Sequence, residues 1–302
     1  MTVAATTLTL RLRGRELSIE RGRPLLMGVV NASPESFFDG GRHGGLTELA
    51  AHGGALAAAG ATIVDVGGQS GVTHLPAVPV EEEVTRVVPL VERLAGDGLI
   101  VSVDTWSAEV ASAAIDAGAA LINDPSGLTD SGVAEACARS GAGLVVTHTR
   151  AAPKRKQFPA YEDVRADVVD FLGERLESAR AAGVEGAQIL LDPGPDLGKT
   201  PAETVAVLRD LPALARLGQP LLLSVSRKDF VGAICARAPG ERLGGTLAAV
   251  GEGVDAGASV VRTHDVAAVA DFMAVRAALR GERVVDPGLR LAEDLRREGR
   301  AA

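Results

Sequence analysis

Aromatic residues are scarce in this chain, since Phe, Tyr and Trp together make up only 3 % of its 302 residues, and an aliphatic core is therefore expected. Cysteine is equally rare. Cys137 and Cys235 fall in predicted helices without the spacing of metal ligands, which favours reduced, inert thiols in a cytoplasmic protein. The chain also lacks an apolar run of about 18 residues and a charged-then-apolar leader, so neither membrane insertion nor export is expected.

Positive charge is in deficit, because 31 Lys and Arg residues stand against 39 Asp and Glu residues, for a net charge of −8. Proteins that bind nucleic acid present a basic face, so no nucleic-acid partner is expected. An anionic substrate would have to be held by a few local cations rather than by the overall field. The 46 % hydrophobic and 23 % charged content is that of an ordinary globular protein.

Eight short apolar runs recur along the chain, and each is followed by an amphipathic stretch long enough for a helix. Eight strand–helix units predict a parallel sheet closed into a (β/α)8 barrel, a fold that typically takes about 250 residues. We expect a single domain over residues 1–302 with the barrel at about 25–280. The runs are Leu25–Asn31, Thr62–Gly68, Leu99–Thr105, Ala120–Ser126, Gly143–Thr149, Gln188–Gly194, Pro220–Ser226 and Ser259–Asp265.

Other segments lie before, between and after these units. The alternating stretch 8–20, with Gly14 at its centre, predicts a β-hairpin that plugs the N-terminal end of the barrel. Long loops rich in Gly, Pro, Ser and His follow the first two strands, Ala32–Leu46 and Ser70–Val80, and both are candidates for mobile active-site loops. Residues 286–302 are charged and are expected to form a helix or a frayed tail.

Polar side chains end most of the apolar runs, and in a (β/α)8 barrel the site is built where strands pass into the following loops. A single Asp at such a place is commonly a helix N-cap. Asp65, Asp104 and Asp192 beside Asn123 instead favour a narrow site whose acceptors bind a nitrogen heterocycle with several N–H donors. A buried carboxylate needs a partner, and Lys228 is the expected one. The side chains expected to converge are those of Asn31, Asp65, Asp104, Asn123, His148, Asp192, Lys228, Arg262 and His264.

Cations gather after the last two strands of the predicted barrel. Ser226, Arg227 and Lys228 follow strand seven, whereas Arg262 and His264 alternate on strand eight and should point the same way. Loops after these two strands often bind phosphate in such barrels, and the fork of donors on Arg suits phosphate oxygens. The alternative is a salt-bridged rim.

The motifs that carry these residues resemble those of the dihydropteroate synthase family. MGVVNASPESFFDGG (Met27–Gly41) is similar to the family's MGIxNxTPDSFxDGG loop, and the others match in order and spacing from about Leu25 to Leu279. The resemblance implies a cytoplasmic, homodimeric folate-pathway transferase. It would join 6-hydroxymethyl-7,8-dihydropterin pyrophosphate to p-aminobenzoate and release pyrophosphate with the help of Mg²⁺. The other motifs are VDVGGQS, SVDTWSAEVASAAIDAGAALINDPSG, LLDPGPDLGKT, SRKDFVG, ERLGGTLAA and VRTHD.

The resemblance also implies roles for individual residues around the pterin ring. Asp104, Asn123, Asp192 and Lys228 would hold the ring, and Asp65 would lie under it. Asp104, Asp192 and Lys228 are the residues expected to carry catalysis. Fixed carboxylates around the ring would stabilise the cationic pterin that forms as pyrophosphate leaves.

A second set of roles concerns the pyrophosphate. By the same resemblance, Arg262 and His264 would hold it together with Asn31, which would lie near the metal. Ser226 and Arg227 would belong to the signature that follows strand seven. These roles agree with a heterocycle pocket that lies beside an anion clamp.

Departures from the family pattern all lie on one side of the site. The family's GGESTRPG loop is replaced by GGQSGVTH at residues 67–74, and a ring-stacking Phe is replaced by Leu197. Asp229 occupies a position that in the family helps to receive the carboxylate of p-aminobenzoate, where an acid would oppose the incoming anion. The alternative is that Asp229 is a favourable acid in the first turn of a helix.

Three interpretations follow from an intact electrophile site beside an altered nucleophile site. The chain is a working dihydropteroate synthase, or a divergent paralogue that binds a pterin pyrophosphate but has changed or lost the p-aminobenzoate reaction. A pterin- or folate-dependent methyltransferase-like barrel is the third, and the SRK and VRTHD motifs argue against it. We expect weak capture of p-aminobenzoate and weak sulfonamide inhibition, with pterin affinity retained.

Overall fold

The apolar runs form the strands of one barrel. The structure is a computed structural model that describes residues 7–32, 45–69 and 76–296. Strands β3 to β10 are parallel, and β10 pairs with β3 to close the barrel, which confirms the predicted (β/α)8 barrel with an N-terminal hairpin. The strands of the described residues are β1 (Thr7–Leu12), β2 (Arg15–Glu20), β3 (Leu25–Asn31), β4 (Ile63–Gly67), β5 (Ile100–Asp104), β6 (Leu121–Asp124), β7 (Gly143–Thr147), β8 (Ile189–Asp192), β9 (Leu221–Leu223) and β10 (Ala258–Thr263).

Helices cover the outside of the barrel, so the parallel strands are buried on both faces and their sequences are continuously apolar. Asp130, Asp163 and Thr200 each accept a backbone N–H of the helix that follows, which fixes where those helices begin. The helices of the described residues are α1 (Gly45–Ala58), α2 (Val80–Gly96), α3 (Ala108–Asp116), α4 (Ser131–Ser140), α5 (Val164–Ala181), α6 (Pro201–Arg209), α7 (Leu211–Ala215), α8 (Asp229–Cys235), α9 (Leu243–Asp255) and α10 (Val266–Leu279). Within these ranges, no helix is long and apolar enough to cross a membrane.

The hairpin of β1 and β2 closes the N-terminal end of the barrel, as its alternation predicts. Leu10, Leu12 and Ile19 are buried and share one apolar cluster with inward-facing residues of the barrel strands. Gly143 at the start of β7 makes room for the hairpin, because a Cβ placed on it would lie 2.3 Å from Leu12 Cδ2. The barrel residues of this cluster are Met27, Ile63, Ala120, Leu121, Val145, Leu190, Leu222 and Val260. The plugged end leaves the opposite mouth for the site.

The segment after α10 differs from the expectation of a helix. Within residues 286–296 the structure has one 3₁₀ turn, Glu293–Leu295, and no α-helix. Pro287 and Gly288 favour turns over helix, and the exposed Leu289 and Leu291 show that this segment has no apolar face packed on the barrel. Of the two expectations, a helix or a frayed tail, the helix is therefore wrong for these residues.

Candidate active site

The carboxyl ends of the strands place the predicted polar residues around one mouth. Strand pairing sets Gly67 beside both Asn31 and Asp104, and it sets Asp104 beside Asn123. Asp65 differs from the expectation of a strand-end residue, since it is the third residue of β4. Its side chain therefore lies one layer deeper than that of Asp104 and is fully buried.

Arg262 occupies the centre of this mouth. Its Nε lies 2.6 Å from Asp65 Oδ2 and its Nη2 lies 2.8 Å from Asp104 Oδ2. One guanidinium thus joins β10 to β4 and β5 through charge-assisted hydrogen bonds. The sequence predicts Lys228 as the partner of the buried carboxylates, and this prediction is wrong for Asp65 and Asp104. Arg262 pairs with both, because its planar guanidinium reaches both.

The charges of this cluster depend on one another. Burial acts to lower the pKa of Arg262, but the Asp65 and Asp104 carboxylates outweigh it and raise the pKa. Burial raises the pKa of Asp104, and Arg262 opposes that rise. A buried carboxylate is tolerated only when it is paired and hydrogen-bonded. Arg262 therefore supplies the ion-pair partner of both acids and limits the rise in the pKa of Asp104.

Asn123 extends the cluster on its other side. Its Nδ2 donates to Asp65 Oδ2 over 3.3 Å, and its residue is 5 % exposed. The second oxygen of Asp65, Oδ1, is buried without a hydrogen-bond partner among the described residues. Unsatisfied buried acceptors are costly and uncommon in native proteins, so this oxygen is a candidate acceptor for a donor that the described residues do not supply.

Asp192 forms a second acceptor at the end of β8. Its Oδ1 accepts from the backbone N–H of Gly194 at 2.7 Å, and its Oδ2 accepts from Ser224 Oγ at 2.8 Å. Burial raises its pKa, while these two hydrogen bonds oppose the rise. Both bonds hold the carboxylate in one orientation, because each oxygen has a fixed donor. Its remaining lone pairs are available to N–H groups of a ligand.

Lys228 lies directly before α8 and is half-buried. Burial lowers the pKa of its ammonium, while Asp196, Asp192 and Asp104 act in the opposite direction. Three carboxylates therefore surround it without an ion pair within 4 Å among the described residues. Lys228 is therefore held by the combined attraction of several carboxylates and not by a short ion pair with one of them.

His264 and Ser226 form a fixed pair at the rim. Ser226 Oγ accepts from the backbone N–H of His264 at 3.2 Å and lies 3.0 Å from His264 Nδ1. If the hydroxyl donates its one proton to Nδ1, the imidazole hydrogen lies on Nε2; in the other tautomer Nδ1–H donates to the hydroxyl. Burial, followed by Arg262 and Arg227, lowers the pKa of His264 to about 4. At neutral pH a histidine with this pKa is uncharged, so His264, which directly follows β10, is not the cation that the sequence predicts.

Arg227 turns toward the outer rim. Its guanidinium makes two bonds to Asp265, at 3.0 and 2.6 Å, and its backbone has φ +57°. Thr246 Oγ1 accepts its N–H, and Arg242 donates to its carbonyl. These contacts support the salt-bridged rim for this residue and favour a structural role in shaping the turn before Lys228.

Asp229 is the first residue of α8, and its side chain is 68 % exposed. Arg242 Nη1 lies 3.0 Å from Oδ1, and Lys156 Nζ lies 3.7 Å from Oδ2. Two cations thus compensate the charge that sequence analysis expects to repel an incoming anion. Leu197 lies half-buried in the loop between β8 and α6.

Some expectations fall on residues that the structure does not describe. They concern the two loops that are compared with the family pattern, and include residues 33–37 of the first loop and residues 70–74 of the second. Gln69, the last described residue before the second loop, accepts from the backbone N–H of Val78 and donates to Glu83. The base of this loop is therefore joined to the first turn of α2.

His148 and Lys199 lie outside the cluster of acceptors. His148 was expected to join the pocket, although on its own a structural role was favoured; its Nε2 lies 2.8 Å from Asp167 Oδ2, and its ring packs edge-on against Phe171. Burial, followed by Lys199, lowers its pKa to about 4. Sequence analysis missed Lys199, which is 1 % exposed. A single Lys in a strand-end loop gives no sequence signal of burial.

The fold and this mouth define a class: a (β/α)8-barrel enzyme with fixed carboxylates, an amide and cations suited to a polar heterocycle with an anionic arm. The family described as "Pterin binding enzyme" matches residues 27–264. The dihydropteroate synthase of Escherichia coli K12 is 36 % identical over 268 residues, or 88 % of this chain and 95 % of the relative. The chain belongs to the dihydropteroate synthase family of pterin-binding enzymes.

Solved structures agree with this membership. The structure of Xanthomonas albilineans dihydropteroate synthase with 4-aminobenzoic acid superposes with a TM-score of 0.84 and 41 % identity, covering 91 % of this chain and 99 % of that one. The Burkholderia cenocepacia dihydropteroate synthase complexed with 7,8-dihydropteroate gives a TM-score of 0.83 and 36 % identity, covering 92 % and 98 %. The likeness therefore extends over nearly the whole of both chains.

Proposed function

We propose that this chain is a working dihydropteroate synthase. It joins the methylene carbon of 6-hydroxymethyl-7,8-dihydropterin pyrophosphate to the amine of p-aminobenzoate. The C–O bond to pyrophosphate breaks, a C–N bond forms, and the amine loses one proton. The observation that carries the proposal is the bridge of Arg262 between Asp65 and Asp104, next to Asn123 and within a family of pterin-binding enzymes.

The pterin ring is proposed to lie among the acceptors of the mouth. Asp192 has both oxygens oriented by fixed donors, and Asp65 Oδ1 is a buried acceptor without a partner. The N–H groups of a pterin match such acceptors, because a carboxylate accepts through both oxygens. Lys228 and Asn123 supply donors for the ring's own acceptor atoms. Leu197 would offer apolar contact to one face.

The pyrophosphate is proposed to lie near Arg262 and His264. The neutral His264 would donate from Nε2, and the guanidinium would turn part of its fork toward phosphate oxygens. Among the described residues no cluster of three or more His, Cys, Asp or Glu side chains fits a metal. Asn31, at the end of β3 beside Gly67, offers one amide oxygen, which suits a Mg²⁺ ion held largely by phosphate and water. When bound, the ion would neutralise charge on the departing pyrophosphate.

Catalysis is proposed to be electrostatic. As pyrophosphate leaves, positive charge develops on the methylene-pterin, and Asp104 and Asp192 are already fixed around it. Fixed charges stabilise such a transition state without reorganisation during the reaction. Little water would reach the ring, since Asp65, Asn123 and Asp192 are all nearly fully buried. The arylamine then attacks the methylene carbon from the open side of the mouth.

The acceptor side supports the working synthase over the divergent paralogue. Repulsion by Asp229 is one of the features that favour a paralogue, beside the altered second loop and Leu197, and Arg242 and Lys156 compensate its charge. A carboxylate that approaches this rim meets a cluster with a net positive charge of one. We therefore retain p-aminobenzoate as the acceptor.

We further propose that the enzyme is a cytoplasmic homodimer with one domain. Val275 and Leu279 of α10 are exposed, and so are Val284 and Val285, which follow a few residues later in the chain. Exposed apolar side chains that together form one surface commonly mark a protein–protein contact. Sedimentation equilibrium of the wild type and of Leu279→Asp tests this assembly, which predicts a dimer that the variant weakens.

Steady-state kinetics decide among the interpretations. The working synthase predicts turnover of pterin pyrophosphate with p-aminobenzoate and Mg²⁺. A paralogue that keeps the electrophile chemistry would exchange labelled pyrophosphate into substrate without p-aminobenzoate turnover. A protein that binds pterin but catalyses neither reaction would contradict the proposed function, and so would one that binds no pterin.

A further inference from the structure

The ammonium of Lys199 is enclosed in the loop between β8 and α6. Its Nζ donates to the carbonyls of Gly194 at 2.9 Å, Leu197 at 3.1 Å and His148 at 3.3 Å. An ammonium has three N–H donors and no acceptor. The three carbonyls therefore match it completely, although the side chain is only 1 % exposed.

Burial of this ammonium lowers the stability of the fold. Burying a cation without a paired carboxylate is unfavourable, and no carboxylate lies within 4 Å of Lys199 Nζ among the described residues. Burial lowers the pKa of the ammonium to about 7, although Asp192 acts in the opposite direction. An apolar side chain could fill the same space without this loss of stability. The contribution of Lys199 is therefore its hydrogen bonds to the three carbonyls.

The carbonyls that Lys199 gathers belong to the wall of the site. The backbone N–H of Gly194 orients Asp192 Oδ1. Gly194 has φ +64°, and a Cβ placed on it would lie 2.0 Å from the His148 carbonyl oxygen, so only glycine fits there. The loop is thus pressed against the end of β7. At its other side Asp196 accepts the N–H of Phe230 in α8 over 3.2 Å.

We propose that Lys199 is a positioning residue for the pterin site, because its ammonium holds the β8–α6 loop on β7 and so fixes Asp192 and Leu197. The inference rests on the proposed function for the statement that Asp192 and Leu197 contact the pterin. Lys199 itself does not reach the ligand, since its nitrogen is enclosed by carbonyls. Its effect is on binding geometry and not on a proton transfer.

The test compares Lys199→Met with Gln188→Met. Methionine keeps an unbranched side chain that is one atom shorter than that of lysine, and it removes the three donors. Gln188 is a matched buried residue, because it is 4 % exposed and its Nε2 donates to the Ala142 carbonyl over 2.7 Å, but it lies at the plugged end of the barrel. Lys199→Met is expected to weaken pterin pyrophosphate binding, measured by calorimetry, at least about tenfold, the loss typical of a charged hydrogen bond. Gln188→Met should leave Kd within about twofold at a similar loss of Tm.

A second measurement separates the positioning role from the proposed function. Hydrogen exchange of peptides over residues 189–200 needs no ligand, so it gives a result even if the wild type binds no pterin. Faster exchange there in Lys199→Met than in Gln188→Met supports the positioning role. Equal exchange in both variants overturns it, as does an unchanged pterin Kd in folded Lys199→Met when the wild type binds pterin.

A milder variant keeps the test decisive if Lys199→Met does not fold. Tyr161 OH donates to the carbonyl of Gly198 in the same loop over 2.9 Å, and Tyr161→Phe removes only that bond. Exchange over residues 189–200 should then rise, and pterin affinity should fall by about two- to fivefold. If the exchange rate over residues 189–200 in Tyr161→Phe equals that of the wild type, hydrogen bonds to the carbonyls of this loop do not hold it in place.

Discussion

Arg262 reaches across the mouth of the barrel to Asp65, with 2.6 Å between Nε and Oδ2. The carboxylate is fully buried and the arginine side chain is 18 % exposed, so neither charge is well solvated without the other. Loss of one partner from a buried pair commonly costs about 3–5 kcal/mol. The pair therefore sets both the stability of the mouth and the orientation of the guanidinium.

Arg262→Lys is expected to keep the charge and lose the two-sided fork. Lysine binds phosphate as a point charge and cannot bridge Asp65 and Asp104 with planar geometry. We expect KM for the pterin pyrophosphate to rise at least about tenfold. Arg150→Lys is the matched control, because Arg150 makes a similar two-bond contact with Asp167 outside the mouth. Equal KM values in the two variants would exclude the proposed role of Arg262.

Asp192→Asn tests the pterin acceptor. An amide NH₂ group replaces one carboxylate oxygen and opposes the ligand N–H groups donor to donor, so we expect pterin affinity to fall about tenfold or more. Asp124→Asn is the control, since Asp124 is also buried and accepts two backbone N–H groups, from Ser126 and Leu128. Calorimetric titration should show a loss in the first variant only. Equal losses would assign the effect to general destabilisation.

His148 is expected to make the fold sensitive to acid. Its pKa falls from 6.5 to about 4 on folding, so below pH 6.5 the unfolded chain takes up a proton that the native state does not. Proton uptake then favours unfolding, and stability falls as the pH drops from 6.5 to about 4. The full effect is on the order of 3 kcal/mol.

The measurement is the free energy of unfolding in urea at pH 7, 5.5 and 4.5, for the wild type and His148→Gln. The glutamine amide does not titrate, and it can still donate to Asp167. We expect a shallower loss of stability in the variant, and His264 together with the other groups of perturbed pKa, among them Asp104 and Lys199, contributes to the slope that remains. Identical slopes would show that His148 is protonated alike in both states.

Asp229→Ser tests the acceptor side. The change removes an acid and leaves Arg242 and Lys156 to attract the benzoate carboxylate. Because these exposed pairs already compensate Asp229, we expect KM for p-aminobenzoate to fall only about two- to tenfold. Sulfonamide inhibition should strengthen in parallel. Glu241→Ser, which removes an exposed acid paired with Arg237, should change neither quantity, and an unchanged KM in Asp229→Ser would leave Asp229 as a helix-start acid alone.

Leu12→Ala tests the plug at the other end of the barrel. Leu12 is fully buried in the cluster that joins the hairpin to the barrel strands, and such truncations cost about 2–5 kcal/mol. Chemical denaturation should show this loss. The kinetic constants of the folded variant should stay near the wild-type values, since the plug and the mouth lie at opposite ends. A large rise in KM would indicate coupling between the two ends.

Much of the fold follows from short-range patterns. The eight apolar runs and their helices predict the barrel, because a strand buried on both faces must be apolar throughout. The hairpin follows from alternation around Gly14. Residues 286–302 were expected to form a helix or a frayed tail, and the helix is wrong for the described part, since charge alone gives no apolar face that a helix could pack.

The membership of the site also follows from the sequence, because the topology of the barrel brings strand ends together. Asp65, Asp104, Asn123 and Arg262 all lie in one mouth. Their pairing does not follow. From the sequence we expect Lys228 to be the partner of the buried acids, whereas the distances pair Asp65 and Asp104 with Arg262.

The sequence by itself thus determined the strands, the family and the list of polar residues at the mouth. Only the tertiary structure decided which cation meets which acid, that Lys199 is buried under three carbonyls, and that His264 is neutral. Burial and distances of a few ångströms set these properties through desolvation and hydrogen bonding. Both depend on residues far apart in the chain, and local sequence does not encode them.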